Sequence, residues 1–179
     1  MRMNRRKAIK RALLILCLTF VLHNTLAFAY VYYSRGQDLP NLRVNSSHLE
    51  STFTTAYSNS RTAWFNTYTR ANIIIDNTVS DKYIKSAYLS ETYYGAYAPT
   101  GYAPSGRATG FTITLNTRTI PNNNSFRQSV IVHEFGHAFC LGDNPSSGNT
   151  SIMNYNRDRY TLISPTSDDI NGVQAAYPD

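Results

Sequence analysis

The chain has 179 residues and a mass of 20.2 kDa, which suits a single domain and excludes a large multidomain protein. Hydrophobic residues make up 42% of it and 14 residues are Tyr, so enough apolar surface exists to form a core and a wholly disordered chain is excluded. The formal net charge of +6, taken alone, would suit nucleic acid or a membrane surface as partner.

The positive charge is concentrated in the N-terminal segment. The first 29 residues hold six of the 17 basic residues and no acidic residue, and the other 150 residues carry 11 of each sign. An apolar run from Ala12 to Leu22 follows the basic cluster, and Ala27 and Ala29 form a small-x-small pair. This order predicts a signal peptide over 1–29, cleaved before Tyr30, and a secreted, extracellular protein. The rest of the chain has no basic run, so we expect no nucleic-acid partner.

An uncleaved leader is the alternative. It would hold the protein at the cell surface and would be its contact with the membrane, although the apolar run is shorter than the ~20 residues that cross a bilayer. Cleavage would also remove Cys17 and leave Cys140 as the single thiol of the mature chain, so no intramolecular disulfide is expected.

Residues 30–179 are predicted to form one domain. Apolar spacing predicts a first strand over 30–35, a turn over 36–40 and a first helix over 48–69, with Ser46 or Ser47 as its N-cap. Short β-branched or alternating runs predict further strands, which are Asn72–Asp76, Ala87–Thr92 and Phe111–Asn116. Residues 93–110 are rich in Gly and Pro and are expected to be largely loop.

Two capping boxes predict the remaining helices. Ser125 with Gln128 would begin a helix that runs through Ala138, and Thr166 with Asp169 would begin a last helix closed by Pro178. A long polar loop, residues 143–160, is expected between them.

The motif His133-Glu134-Phe135-Gly136-His137 lies within the first of these helices. Residues four apart lie on the same helix face, so both imidazoles can reach one metal ion, and Glu134 projects beside it to hold a water. A catalytic zinc normally has three protein ligands. No Glu follows Glu134, and His48 lies far upstream where a surface histidine is expected. The acidic residues after His137 remain, and Asp143, just past Gly142, is placed where the chain could turn back.

The run from His133 to Asp143 resembles the metzincin signature H-E-x-x-H-x-x-G-x-x-H/D. Ser151-Ile152-Met153-Asn154-Tyr155 resembles the Met-turn that follows it, and residues 164–177 are similar to the closing helix of matrixin-type catalytic domains. The resemblance implies an α+β, metzincin-like zincin domain over 30–179, with a mixed twisted sheet, an active-site helix, a Met-turn and a C-terminal helix.

The resemblance also implies the roles of individual residues. His133, His137 and Asp143 would be the zinc ligands, Glu134 the general base and Met153 the hydrophobic floor beneath the metal. Tyr155 stands where a tyrosine contacts zinc or stabilises the oxyanion in the astacin and serralysin branches, and simple packing is the alternative for it.

Two positions depart from the usual signature. Asp143 replaces the third His, as in a small bacterial branch that resembles snapalysin, and its charge should raise the pKa of the activated water. Cys140 replaces the motif Gly, where the helix end often needs a left-handed backbone that costs other residues roughly 1–2 kcal/mol. A thiol at this position could also bind the metal or interfere with its site.

These observations predict a secreted zinc metalloendopeptidase in which Zn²⁺ polarises the scissile carbonyl and acidifies a water, and Glu134 takes its proton. The substrate would be a protein or peptide, extended along Phe111–Asn116 as an exposed sheet edge, and the enzyme is expected to be a monomer. The alternative is a non-catalytic secreted or surface binding protein that keeps a structural zinc site. Asp76 and Asp81 could bind a structural Ca²⁺, although two acids near a turn are usually turn residues.

Overall fold

A computed structural model describes residues 30–145 and 150–178; the predicted signal peptide and Cys17 lie outside these ranges. Within the ranges, none of the helices is sufficiently long and apolar to traverse a bilayer. The strands are β1 (Val31–Tyr32), β2 (Asn41–His48), β3 (Asn72–Ile75), β4 (Lys82–Ala87), β5 (Gly95–Tyr102), β6 (Ala108–Asn116) and β7 (Leu141–Gly142). The helices are a 3-10 turn (Ser51–Phe53), α1 (Thr54–Phe65), α2 (Asn124–Ala138) and α3 (Ser167–Ala176).

Five of the strands form one mixed sheet in the order β3-β2-β4-β6-β5. The first four pair in parallel, with Ile84 of β4 opposite Ile113 of β6. The last strand, β5, is antiparallel to β6 and places Tyr97 opposite Ile113. β1 and β7 pair separately as a short antiparallel ribbon, with Val31 opposite Gly142. The fold is therefore α+β with an antiparallel edge strand on a parallel sheet.

Helix α2 lies at the centre of the core. Twelve of its 15 residues are buried, which is the pattern of a helix covered on nearly all sides. Phe135 on this helix stacks on Tyr57 of α1, with ring centroids 6.1 Å apart, and meets Phe111 of β6 edge to face at 6.4 Å. The indole of Trp64 in α1 donates to the carbonyl of Val132 at 3.1 Å. Packing on both the sheet and α1 thus fixes the helix that carries the histidine motif.

The predictions for strands and helices are confirmed in part. The structure has strands at Asn72–Ile75 and over most of Phe111–Asn116, a helix through Ala138 and a last helix with the Thr166/Asp169 capping box. The predicted start of the first helix at 48 is wrong, because Ser46, Ser47 and His48 end strand β2 and the helix begins at Thr54.

Four further predictions are wrong. The strand expected over Ala87–Thr92 is instead β4, which ends at Ala87, and the expected loop over 93–110 contains β5. The cap of α2 is Asn123, whose side chain accepts from Phe126 N at 3.0 Å, and not Ser125. Phe111–Asn116 is not a sheet edge, because β5 pairs along it and takes the edge position.

Candidate metal centre

The two histidines of the motif lie one helical turn apart on α2. Their ring centroids are 4.8 Å apart and the rings are nearly perpendicular, at 81°. The His133 side chain is 10% exposed and that of His137 14%, so both imidazoles border solvent at one edge while the rest of the helix is covered.

Asp143 returns to the histidines after the helix ends. The chain leaves α2 through Cys140, whose φ of 65° is in the left-handed region, and then pairs through β7 with β1. This turn brings Asp143 Oδ1 to 3.3 Å from His133 Nε2 and 3.9 Å from His137 Nε2. One ligand atom from each of the three residues lies within 4.8 Å of the others, and no further cluster of this kind occurs in 30–145 or 150–178. His48 is exposed on β2 and does not join them.

One backbone carbonyl fixes the tautomer of each imidazole. His133 Nδ1 lies 3.0 Å from the carbonyl oxygen of Ile152, and His137 Nδ1 lies 2.8 Å from that of Leu141. A carbonyl oxygen can only accept, so each Nδ1 carries the hydrogen and donates it. The neutral rings then present the Nε2 lone pair toward Asp143. Three lone-pair donors converge on one point, which is the donor set that a cation satisfies.

Burial and charge favour the ligand forms of these groups. Burial, and then the neighbouring His133, lower the pKa of His137, so its imidazole is neutral at neutral pH. The hydrogen bond with His133 is the largest cause that lowers the pKa of the Asp143 carboxyl. Asp143 is therefore ionised. Two imidazoles and one carboxylate suit a borderline divalent ion such as Zn²⁺.

Glu134 lies beside the convergence point and is 5% exposed. A Cβ built on Gly95 of β5 would lie 2.6 Å from Glu134 Oε1, so the absence of a side chain at Gly95 makes room for the carboxylate. Within the described ranges neither oxygen of Glu134 has a hydrogen-bond or ion-pair partner. A buried carboxylate without a partner is costly, and it is available to hold a water or a proton.

The three candidate metal ligands and Glu134 line one open cleft of about 310 Å³. Its other walls are Tyr33, Gly95, Ala96, Tyr97 and Gly142. The edge strand β5 therefore forms one side of the cleft, and the residues that follow α2 form the other.

The segment 151–155 supports α2 from below. Met153 is buried, and its Sδ lies against Gly136, where a Cβ would collide with it. Asp169 in α3 accepts from Ser151 Oγ at 2.6 Å and from Ile152 N at 2.9 Å. Because Ile152 in turn accepts from His133, the C-terminal helix helps to orient a candidate metal ligand through one residue.

Cys140 faces the interior and not the ligand cluster. It is buried, its Sγ lies 3.3 Å from the hydroxyl of Tyr177 and 3.7 Å from the carbonyl oxygen of Gln37, and burial raises the pKa of the thiol. The expected left-handed backbone at this position is confirmed by its φ. The thiol is not one of the atoms that converge on the candidate metal position.

The remaining predicted residues have definite places. Tyr155 is half exposed and lines a second cavity together with His133 and Glu134; its role stays a prediction. Asp76 accepts from Arg43 and Thr78, and Asp81 pairs with Lys82 at 2.6 Å. Neither belongs to a candidate metal cluster within the described ranges.

Sequence reasoning missed Arg157. It is buried, donates to Ser129 Oγ at 3.0 Å and to the Asn154 carbonyl at 3.0 Å, and thereby joins the Met153 segment to α2. Burial lowers its pKa to about 9. Its Nη1 also lies 3.2 Å from His133 Nδ1, which already carries a hydrogen for Ile152. An arginine four residues after a Met in a polar loop gives no signal in the sequence that it will be buried.

Comparisons with known proteins give a likeness of fold. No family model matches the chain, and no curated protein matches it. Among solved structures, one chain of the "GM1 bound form of the ECX AB5 holotoxin" is similar with a TM-score of 0.55 and 14% sequence identity. The match covers 83% of this chain and 88% of that chain. At this identity the similarity shows a related fold and carries no statement about activity.

Proposed function

We propose that this chain is a zinc-dependent metalloendopeptidase with a metzincin-like, matrixin-type fold. The observation that carries the proposal is the convergence of three lone-pair donors, from His133, His137 and Asp143, beside the unpartnered carboxylate of Glu134. A purely structural metal site needs ligands but has no use for a buried carboxylate held free next to them, so this arrangement favours an enzyme over a binding protein.

His133, His137 and Asp143 would hold the zinc. When bound there, zinc would act as a Lewis acid on the scissile carbonyl and lower the pKa of a water molecule. The carbonyls of Ile152 and Leu141 keep each Nδ1 protonated and so keep each Nε2 available as a ligand. Asp143 brings a negative charge to the ligand set.

Glu134 would carry the proton. Its carboxylate takes one proton from the attacking water, which becomes the oxygen of the new carboxyl group, and delivers that proton to the nitrogen of the departing amine as the C–N bond breaks. The lack of other hydrogen bonds to Glu134 leaves its oxygens free for both transfers.

The peptide substrate would bind along β5 rather than β6. β5 is the edge strand of the sheet, and its residues Gly95, Ala96 and Tyr97 line the cleft. An extended peptide can add to such an edge through main-chain hydrogen bonds, which hold it in register without regard to most side chains. This placement replaces the sequence-based expectation for Phe111–Asn116.

The family assignment has support of its own. Met153 packs beneath Gly136, between the two histidines of the helix, as the resemblance to the Met-turn implies. The closing helix α3 begins at the expected capping box and is tied to that turn through Asp169. We further propose that the enzyme is secreted, on the basis of the basic and apolar order of residues 1–29.

Chelation and reconstitution test the proposal. The purified chain should cleave casein or gelatin, lose this activity when 1,10-phenanthroline removes the metal, and regain it with about one equivalent of Zn²⁺ per chain. A zinc-loaded, folded chain that cleaves neither protein nor any member of a mixed peptide library would refute the assignment and favour the non-catalytic alternative.

A further inference from the structure

A second cavity adjoins the cleft that the candidate metal ligands line, and Glu134 borders both. Its volume is about 260 Å³. It shares Gly95, His133 and Glu134 with the first cleft. The rest of its lining is Thr92, Tyr93, Tyr94, Val130, Tyr155, Arg157 and Arg159. A group in this cavity is therefore next to the reacting centre and still outside the ligand cluster.

Arg159 is a cation in this cavity without a carboxylate partner. Its guanidinium lies over the ring of Tyr94, 4.8 Å from the centroid, and 5.9 Å from that of Phe126. A single hydrogen bond holds it, from Nη2 to the carbonyl oxygen of Tyr155 at 2.7 Å, and its buried Nε has no acceptor. No ion pair to Arg159 occurs in the described part of the chain. Aromatic walls orient the group, while most of its five N–H donors stay unused.

Arg157 differs from Arg159 although both line the cavity. All three nitrogens of Arg157 donate within the protein, to Ser129 and Asn154. Three of its five N–H groups are therefore used within the protein, so Arg157 adds positive charge with fewer free donors than Arg159. Glu134 is the one acidic side chain among the cavity's lining residues, so the cavity carries two positive charges against one negative charge. Burial also lowers the pKa of Arg159, which shows that its charge is poorly solvated and would be stabilised by an anion.

We propose that this cavity is a specificity site which binds a carboxylate of the substrate, carried by the residue next to the scissile bond, through Arg159. The proposal rests on the peptidase function proposed above. A peptide extended along β5 passes Gly95, which borders both cavities, so a side chain adjacent to the cleaved bond enters the second one. A planar guanidinium with free N–H groups matches a carboxylate in two hydrogen bonds. The chemical class of preferred substrate is thus a peptide with Asp or Glu at one position flanking the cleavage site.

Peptide-library cleavage tests this inference on the zinc-loaded, full chain. In a library blocked at both ends, only side chains supply carboxylates, and we expect Asp and Glu to be enriched at one position adjacent to the cleaved bond. For a matched pair of peptides with Glu or Gln at that position, kcat/KM should favour Glu by at least about tenfold, as expected for a charge-assisted bidentate pair. A parallel library with free C-termini shows whether a chain-end carboxylate can supply the same group.

Variants of Arg159 separate its role from a structural one. Arg159→Gln should reduce the Glu-to-Gln ratio to within about twofold of one, and Arg159→Glu should shift the preference toward Lys, because the sign of the cavity charge changes. Arg43→Gln is the matched control, since Arg43 is exposed on β2 and pairs with Asp76, and its ratio should match that of the unaltered chain.

The outcomes distinguish the two proposals. Cleavage without any acidic preference, or with the same preference in Arg159→Gln as in the unaltered chain, would overturn the specificity site and leave the peptidase standing. No cleavage of any peptide by the zinc-loaded chain would overturn both. Even if an Arg159 variant does not fold, the library profile of the unaltered chain shows whether the enzyme prefers an acidic residue next to the cleaved bond.

Discussion

Replacing Asp169 should destabilise the fold far more than replacing its neighbour Asp168. Asp169 is 1% exposed and accepts four hydrogen bonds: Oδ1 from Ser151 Oγ at 2.6 Å, and Oδ2 from Ile152 N at 2.9 Å and from Thr166 N and Oγ1 at 2.8 Å each. Asp168 is partly exposed and accepts from Asn144 Nδ2 at 3.1 Å. The two residues share the first turn of α3, so they form a matched pair.

The magnitude follows from the groups left without partners. Asp169→Ala removes the acceptor from two backbone N–H groups and two hydroxyls, and each unsatisfied buried amide costs about 1–3 kcal/mol. We expect a loss of about 3–5 kcal/mol in the free energy of unfolding. Asp169→Asn keeps one oxygen for the Oδ2 partners, and the Ser151 hydroxyl can turn to accept from the new amide. We expect the free energy of unfolding to fall by about 1–2 kcal/mol in Asp169→Asn and by less than about 1 kcal/mol in Asp168→Ala.

Urea-induced unfolding with a chelator present measures these free energies without a contribution from metal binding. The Asp169 variants should also bind Zn²⁺ about 10–100-fold more weakly, because Ile152, which orients His133, loses its anchor. An Asp169→Ala variant no less stable than Asp168→Ala, with unchanged zinc affinity, would refute the proposed link from α3 to the metal ligand.

Three further predictions concern the site and its border. Asp143→Ala should weaken Zn²⁺ binding by more than about 100-fold in a chelator competition, because removing a ligand weakens binding more than removing a residue that orients a ligand. Unchanged zinc affinity would exclude Asp143 as a ligand. Gly95→Ala should lower kcat for peptide cleavage, because the new Cβ would lie 2.6 Å from Glu134 Oε1 and must displace that carboxylate; normal kcat would show that the position of Glu134 is not critical. Burial raises the pKa of Cys140 above the ordinary thiol value of 9.0, so the unfolded chain ionises first and stability should fall as the pH rises above about 9. In the same unfolding assay, the free energy of unfolding of Cys140→Ser should fall less between pH 8.5 and 10 than that of the unaltered chain. An identical fall in both proteins would contradict the raised pKa of Cys140.

The helix of the site could be predicted because its signals are local. His133 and His137 are four positions apart among the apolar residues between Phe126 and Ala138, and the capping pair of α3, Thr166 and Asp169, is separated by three positions. The sequence does not locate the cap of α2 correctly, because Asn122, Asn123 and Asn124 precede Ser125 and any of these short polar side chains can cap a helix. Asp143 could be proposed as a ligand because it is an acidic residue shortly after His137 and lies just past Gly142, where the chain can turn back toward the histidines.

The sheet could be predicted less well because its order depends on distant pairing. The alternation in Phe111–Asn116 indicates which side chains are buried, but it gives no information about the strand beyond it. That strand, β5, begins with Gly95 and Ala96, which have low strand propensity, and contains Pro99. Pro99 is tolerated because β5 is an edge strand that pairs with β6 on one side only. The sequence predicts the start of the first helix at 48 because Leu49 and Phe53 fall at helical spacing, although Phe53 ends a 3-10 turn and Leu49 precedes that turn.

The contacts that orient the candidate metal ligands could not be predicted from the sequence for a different reason. The groups that orient His133 and His137 are backbone carbonyls, of Ile152 and Leu141, and every residue has one. The buried position of Arg157 and the free donors of Arg159 likewise depend on how the segment after Met153 folds back on α2. Such features follow from tertiary packing and not from any local pattern.

Zinc content and peptide cleavage measured together in the unaltered chain and in Glu134→Gln test the central claim most directly. Both proteins should bind about one Zn²⁺ per chain, because Glu134 is not a ligand, while cleavage of casein should be abolished in the variant. Glu50→Gln, which makes the same change at an exposed position, is the control and should retain full activity. Cleavage by the Glu134→Gln variant at the rate of the unaltered chain would contradict the assignment of Glu134 as the general base and of this site as a peptidase centre.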